Sequence, residues 1–345
     1  MTPDDPQTYI QGVLAGNRRA LSKTITLVES SLDAHRQLAR AVIHGLVPHT
    51  GKAVRLGITG VPGVGKSTFI ESLGMLLLEK GHRIAVLAVD PSSVKSGGSI
   101  LADKTRMKRL ATETAAFIRP SPSRGALGGV AGKTRETMMV CEAAGFDVII
   151  VETVGVGQSE TAVSSMVDFF LVLLLAGAGD EIQGIKRGIM ELADAVAITK
   201  SDGDNHEKAL TAKTTYEAAL HLLNPASDVW LPPVLICSAV EMMGIEDIWQ
   251  TVLDHRQKLS SSSELEEKRK KQALFWMWSL VEEGIKERFN RHPDVRKLLP
   301  EVVRRVKYGE MTPTTAAYEL LSCLDYMLER KFTYQSHSSN KKCKG

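Results

Sequence analysis

The nine-residue run Gly60–Val61–Pro62–Gly63–Val64–Gly65–Lys66–Ser67–Thr68 constrains this chain more than any other stretch. It fits G-x-x-x-x-G-K-[ST], the pattern of a loop that wraps phosphate. The flanks agree with that reading. Val54–Thr59 has the look of a buried strand, and Phe69, Leu73, Leu76 and Leu77 recur at helical spacing. Glycines let the backbone approach closely enough for its N–H groups to point at phosphate oxygens. The helix that follows then sets its positive dipole end beneath those oxygens. Lys66 is expected to reach the β- and γ-phosphates, and the Ser67 hydroxyl to help hold Mg²⁺. A glycine-rich turn that binds nothing needs neither the strand nor the helix. The stretch therefore predicts binding of a nucleoside triphosphate.

The rest of the composition bounds the setting. A chain of 345 residues with 43% hydrophobic content can bury a large core, as one domain with helical additions. Lys and Arg number 43 against 40 Asp and Glu, too even a balance to argue for nucleic acid or an anionic membrane as partner. Cys141, Cys237, Cys323 and Cys343 are scattered with no C-x-x-C pair, as expected of a chain in a reducing cytosol. The polar start Met1–Thr2–Pro3–Asp4–Asp5 does not read as a signal peptide. The apolar run Phe169–Ala176 is too short to span a bilayer. These features lead us to expect a cytoplasmic protein.

Along the chain, residues 1–51 read as a helical preface whose apolar positions include Tyr9, Val13, Leu21, Ile25, Leu38, Val42 and Leu46, closed by Pro48 and Gly51. This preface has two possible placements, against the nucleotide domain or over its active face. From 52 to 260 strands and helices alternate. Strands are expected at Val54–Thr59, Arg83–Asp90, Ala115–Arg119, Asp147–Thr153, Phe169–Leu175, Ala195–Thr199 and Val234–Cys237. Helices are expected at Lys66–Lys80, Asp103–Thr112, Lys133–Ala144 and Asn205–Leu223. Near-continuous apolar strands linked by helices indicate an α/β fold with a mostly parallel sheet covered on both faces. Ligands bind such sheets at the carboxyl ends of the strands. The serines at 260–263 read as a linker, and residues 261–334 as a C-terminal helical module whose aromatic-rich stretch includes Phe275, Trp276 and Trp278. Such a stretch suits a core or a dimer interface, where aromatics are enriched. Residues 335–345 form a polar, basic tail with the composition of a disordered segment.

Several motifs fall at the carboxyl ends of the expected strands. Asp147–Thr153 ends in Glu152, the arrangement in which a strand-end acid serves Mg²⁺ directly or through water. Gly155 then offers a backbone N–H where a γ-phosphate would sit, so 155–160 is expected to act as a nucleotide-sensing switch. Asp90 and Asp103 bracket a glycine-rich loop, a pairing suited to metal and water, though Asp103 is equally placed to be a helix N-cap. Thr199–Lys200–Ser201–Asp202 matches [NT]-K-x-D. Its aspartate can accept from the guanine ring N–H and exocyclic amine, whereas adenine offers no such donor pair and would leave a buried carboxylate unsatisfied. Ser238–Ala239 at the next strand end strengthens the guanine reading. The loop 175–186 carries Asp180, Glu181, Gln183 and Lys186 and is placed to touch nucleotide or partner. His82 and His221 are isolated and read as surface or packing residues. For Arg124–Gly129 a functional loop and a plain connection fit equally well.

Taken together, GVPGVGKST at 60–68, LAVDPSS at 87–93, GGSILADKTRM at 97–107, ETVGVGQSE at 152–160, AGAGDEIQGIK at 176–186 and TKSD at 199–202 resemble one family. It is the MeaB/ArgK/methylmalonic aciduria type A family, the G-protein chaperones of adenosylcobalamin-dependent methylmalonyl-CoA mutase. The resemblance runs through preface and C-terminal extension. It implies a P-loop GTPase related to the signal recognition particle and nickel-insertion GTPases. Such a protein forms a homodimer through its C-terminal helices, binds GTP/GDP with Mg²⁺, gates adenosylcobalamin loading and protects or reactivates the mutase. By matching position, Gly60, Val61, Pro62, Gly63, Val64, Gly65, Lys66, Ser67 and Thr68 carry over as the phosphate cradle. Asp90, Asp103 and Glu152 carry over as the acids around Mg²⁺ and the hydrolytic water. Gly155, Thr199, Lys200, Asp202, Ser238 and Ala239 carry over as the remaining nucleotide contacts. Gln183 and Lys186 fall in the family's additional switch, which couples partner to hydrolysis. Ala102 departs from the glycine expected before Asp103.

Two other readings bear on function. Members of the family have been described as ATPases or kinases of lysine/arginine/ornithine transport, against which the guanine-type TKSD motif argues. A nickel-insertion GTPase would bring His or Cys clusters, which this sequence lacks.

Overall fold

A computed structural model describes residues 5–30, 32–90, 107–122, 127–153, 159–176, 187–223 and 229–323. Seven strands form one sheet: β1 (Val54–Gly60), β2 (Ile84–Asp90), β3 (Ala116–Pro122), β4 (Val148–Thr153), β5 (Phe169–Leu175), β6 (Ala195–Thr199) and β7 (Val234–Ile236). Their order is β3-β2-β4-β1-β5-β6-β7, and every pairing is parallel. The expected strands are all present. β3 runs further than expected, because its whole length pairs with β2 up to Asp90 opposite Pro122.

The period of two along each strand divides the core into two faces. On β5, Phe170, Val172 and Leu174 point to one face, and Phe169, Leu171 and Leu173 to the other. The first face is covered by α1 (Pro6–Leu14), α2 (Arg18–Glu29), α3 (Asp33–Leu46), α6 (Leu127–Ala143) and α9 (His206–Leu223). The second is covered by α4 (Lys66–Glu79), α5 (Lys108–Thr112) and α10 (Ile245–Ser261). The N-terminal preface therefore lies on a side of the sheet. Val13, Leu21, Ile25, Val42 and Leu46 are buried in the same cluster as Val140 and Cys141 of α6. Arg18 donates to the Ala116 carbonyl at 2.8 Å, and Arg119 pairs with Glu29. Burial pushes the Glu29 carboxyl up, against the pull of Arg119 and Lys133.

Helix α6 begins well before Lys133. Gly128, Gly129 and Gly132 lower helix propensity, and the sequence left 124–129 open between a functional loop and a plain connection, yet the helix already begins at Leu127. Short helices α7 (Ser159–Ser164) and α8 (Arg187–Met190) follow β4 and precede β6 respectively. Near the C-terminus the serines make no extended linker. Helix α10 continues through Ser261, and Ser263 turns the chain at φ 63° into α11 (Glu264–Arg291).

The chain divides into two compact units, Met1–Trp276 and Met277–Gly345, the division falling within α11. In the second unit Val302, Met311 and Ala316 form a small core with Leu298, Val306 and Leu320, built from α12 (Pro293–Lys307) and the helical residues 313–323.

Candidate nucleotide site

The phosphate loop leaves β1, the central strand of the sheet, and enters α4. Gly60 stands at φ +152°, and a Cβ there would lie 2.5 Å from the Leu173 carbonyl oxygen, so only glycine fits. Gly65 caps α4 in the left-handed region at φ 98°. Lys66 is buried, and its Nζ donates to the carbonyls of Gly60 at 2.7 Å and Val61 at 3.2 Å. Its ammonium thus spans the loop. Val64 is fully buried beneath the turn, while Pro62 and Gly63 are exposed at its crest.

Beside the loop, Ser67 Oγ donates to Glu152 Oε1 at 3.3 Å. Glu152 is buried on β4, in register with Ile58 of β1. Thr59 and Thr153 share a hydroxyl hydrogen bond of 2.7 Å just above that pair. Asp90 ends β2, one residue past the Val89–Thr153 pairing. A buried carboxylate and a hydroxyl converging beside the phosphate loop form a hard-oxygen donor pair that fits Mg²⁺. Asp103, Gly155 and Lys186 lie outside the described residues, as do Asp180, Glu181 and Gln183.

The base side is assembled from β6 and β7. Thr199 Oγ1 donates to the Val64 carbonyl at 2.8 Å, which locks β6 to the phosphate loop. Lys200 takes the left-handed backbone at φ 55°, uncommon for a side-chain-bearing residue, and its Nζ donates to the Gly63 carbonyl at 2.9 Å. The lysine stem is thereby laid across the loop. Asp202 Oδ2 accepts from Ser238 Oγ at 2.7 Å, and Ser238 Oγ in turn accepts from the Glu241 N–H at 3.2 Å. The strand-end residues that the sequence placed far apart therefore meet in two groups, one around Lys66 and one around Asp202.

Ser72 is a member of this assembly that motif reading missed. It lies on α4, and its Oγ donates to the Ala239 carbonyl at 2.7 Å. A lone hydroxyl among Phe69, Ile70 and Leu73, on the buried stripe of a helix, was the available signal.

A parallel sheet of this order, with GVPGVGKST between its central strand and the next helix, is the fold of the P-loop GTPases. The chain belongs to the MeaB family: the family profile described as "Methylmalonyl Co-A mutase-associated GTPase MeaB" matches residues 21–294. The Mycobacterium tuberculosis (strain ATCC 25618 / H37Rv) protein named "Probable GTPase Rv1496" is 53% identical over 93% of this chain and 94% of its own length. The mouse (Mus musculus) protein named "Methylmalonic aciduria type A homolog, mitochondrial" is 47% identical over 90% of this chain and 77% of its own. A solved structure described as "Crystal structure of LAO/AO transport system kinase" aligns with a TM-score of 0.75 and 40% identity, covering 94% of this chain and 99% of that one. No described helix is long and apolar enough to cross a membrane.

Proposed function

We propose that this chain is a Mg²⁺-dependent GTPase of the cytoplasm that serves methylmalonyl-CoA mutase, gating adenosylcobalamin loading and protecting or reactivating that enzyme. The observation that carries the nucleotide half is the Asp202–Ser238 hydrogen bond of 2.7 Å. With Ser238 on Oδ2, the carboxylate is held in one orientation and keeps acceptor capacity for the two N–H donors of guanine. Adenine presents no such pair, so its binding would strand the carboxylate. The client half rests on membership of a family named for association with methylmalonyl-CoA mutase.

In this reading Lys66 exchanges its Gly60 and Val61 carbonyl partners for β- and γ-phosphate oxygens, a trade toward stronger charge-assisted bonds. The N–H groups of Gly63 to Thr68 line the phosphates. Ser67, Glu152, Asp90 and Asp103 are the residues that would hold Mg²⁺, which supplies charge neutralisation at the transferring phosphoryl group. Asp90, Asp103 and Glu152 are the acids assigned to the attacking water. Lys186 is assigned to the transition-state charge, brought to the γ-phosphate when the client binds. The protein acts as a homodimer through its C-terminal helices. Supporting this, α11 exposes Leu274, Phe275, Trp278 and Ile285 at 55–62% of their surface in the single chain, the aromatic-rich composition of an interface.

A kinase of basic amino-acid transport is the second reading, favoured by the description of the aligned structure. The deciding experiment measures phosphate release from GTP and from ATP, with and without methylmalonyl-CoA mutase. GTP turnover that rises only with the mutase is the expected result. GTP turnover indifferent to the mutase removes that client, and equal turnover of ATP revives the transport reading.

A further inference from the structure

We infer that Ser72 is a positioning residue for guanine selectivity, fixing the base-side loop 238–243 from the helix that binds the phosphates. This rests on the guanine reading proposed above. Guanine differs from adenine at two places. It carries donors at N1 and the 2-amino group, which Asp202 reads, and a carbonyl acceptor at C6 where adenine carries an amine donor. In the guanine reading, the Ala239 N–H, next along from Ser238, is the group assigned to that carbonyl. A neighbouring free carbonyl would do the opposite, since it would accept from the 6-amino group of adenine.

Ser72 holds the carbonyl of Ala239 itself toward α4. Its Oγ donates to Ala239 O at 2.7 Å, and the residue is 8% exposed, so water competes little for the bond. The loop around it is tightly tied. Ser238 and Met243 exchange both backbone hydrogen bonds at 3.0 Å. Gly244, at φ +71°, closes the turn so tightly that a Cβ there would stand 2.2 Å from the Ile236 carbonyl oxygen. Those bonds shape the loop internally. Ser72 sets its height relative to α4, whose first turn carries Lys66 and Ser67. Thr199 and Lys200 tie β6 to the phosphate loop, and the Ser72 hydroxyl adds the tie between α4 and the loop that follows β7.

The test is equilibrium binding of GTP, ITP and ATP, each with Mg²⁺, to the full chain and to S72A. ITP keeps the C6 carbonyl and lacks the 2-amino group. S72A should weaken GTP and ITP alike, by about threefold to tenfold, the worth of one net hydrogen bond. ATP binding should hold or strengthen, so the preference for guanine narrows. S72T, which keeps the donor, should restore it. A loss equal on GTP and ATP would mean general loosening and would overturn the inference, as would no loss at all. Should S72A fail to fold, S72C has a weak donor of similar size and should narrow the preference in the same direction. Equal loss on both nucleotides in S72C also overturns it. The guanine reading is judged separately on the unsubstituted chain: equal affinity for GTP and ATP there removes that reading and this inference with it.

Discussion

The two ends of the sheet are built on opposite principles. At the carboxyl end, Lys66, Lys200 and Thr199 bond to backbone carbonyls of the phosphate loop, and Ser67 and Ser238 bond to single carboxylate oxygens. The carbonyls on Lys66 are neutral partners of the kind that phosphate oxygens can replace. At the amino end the contacts are charge pairs with additional partners. Arg269 of α11 meets Asp168 with both Nε and Nη2, at 2.8 and 2.7 Å, and also reaches the Ala53 carbonyl. Arg55 pairs with Glu142 at 2.6 Å, and its N–H donates to Asp168. Lys268 bonds the Asp168 carbonyl and Asp194. Arg269 is pulled down by burial, but the Asp168 hydrogen bond and charge win and hold its pKa above the ordinary value. Burial likewise pushes Asp194 up, and the His255 hydrogen bond with the Lys268 charge outweighs it and keeps that carboxyl low. One end is held by hydrogen bonds to neutral carbonyls and lone carboxylate oxygens. The other fastens the first half of α11 to the strands that carry the site.

The difference can be broken at either end. Lys66→Ala should lower single-turnover GTP hydrolysis by about a thousandfold, since one lost donor on transferring charge is worth that much. A fall below about tenfold would mean that Lys66 does not serve the phosphates. Asp168→Ala should leave nucleotide affinity within about twofold and cost on the order of 3 kcal/mol in urea unfolding, because Arg269 stays buried without its carboxylate. Unchanged unfolding would show that the amino-end network is not what fastens α11.

The smallest effect sharpens the comparison from between the two ends. Burial raises the Glu136 carboxyl of α6 to about 7 from 4.5, with Lys133 and Arg40 pulling the other way. Between those values the folded chain holds the extra proton, so stability falls as pH rises toward 7. Glu136→Gln should therefore add roughly 1–2 kcal/mol at pH 8 and nothing at pH 4. A gain equal at both pH values would assign the effect to packing.

Much of the site was legible from spacing. The strands from Val54 to Ile236 announced themselves as apolar runs, and the phosphate loop, Glu152, Thr199–Asp202 and Ser238 sit where strands end because a parallel sheet leaves its loops there. What local reading missed has one cause. The early start of α6, the helical course of α10 through Ser260 and Ser261, and the side-on packing of α1–α3 all run against propensity or lie beyond it. For α1–α3 the packing rests on residues distant in sequence, such as Arg119 with Glu29.

The amino-acid sequence by itself determined the phosphate loop, the parallel α/β class and the guanine-type TKSD motif, because each is written in residues close together whose backbone needs are specific. Only the tertiary structure decided that Ser238 orients Asp202, that Ser72 holds Ala239, and that the first half of α11 is pinned at the far end of the sheet. Those are hydrogen bonds between residues 36, 167 and 101 positions apart. A contact across such a separation leaves no local pattern, since it exists only after the strands have brought their ends together.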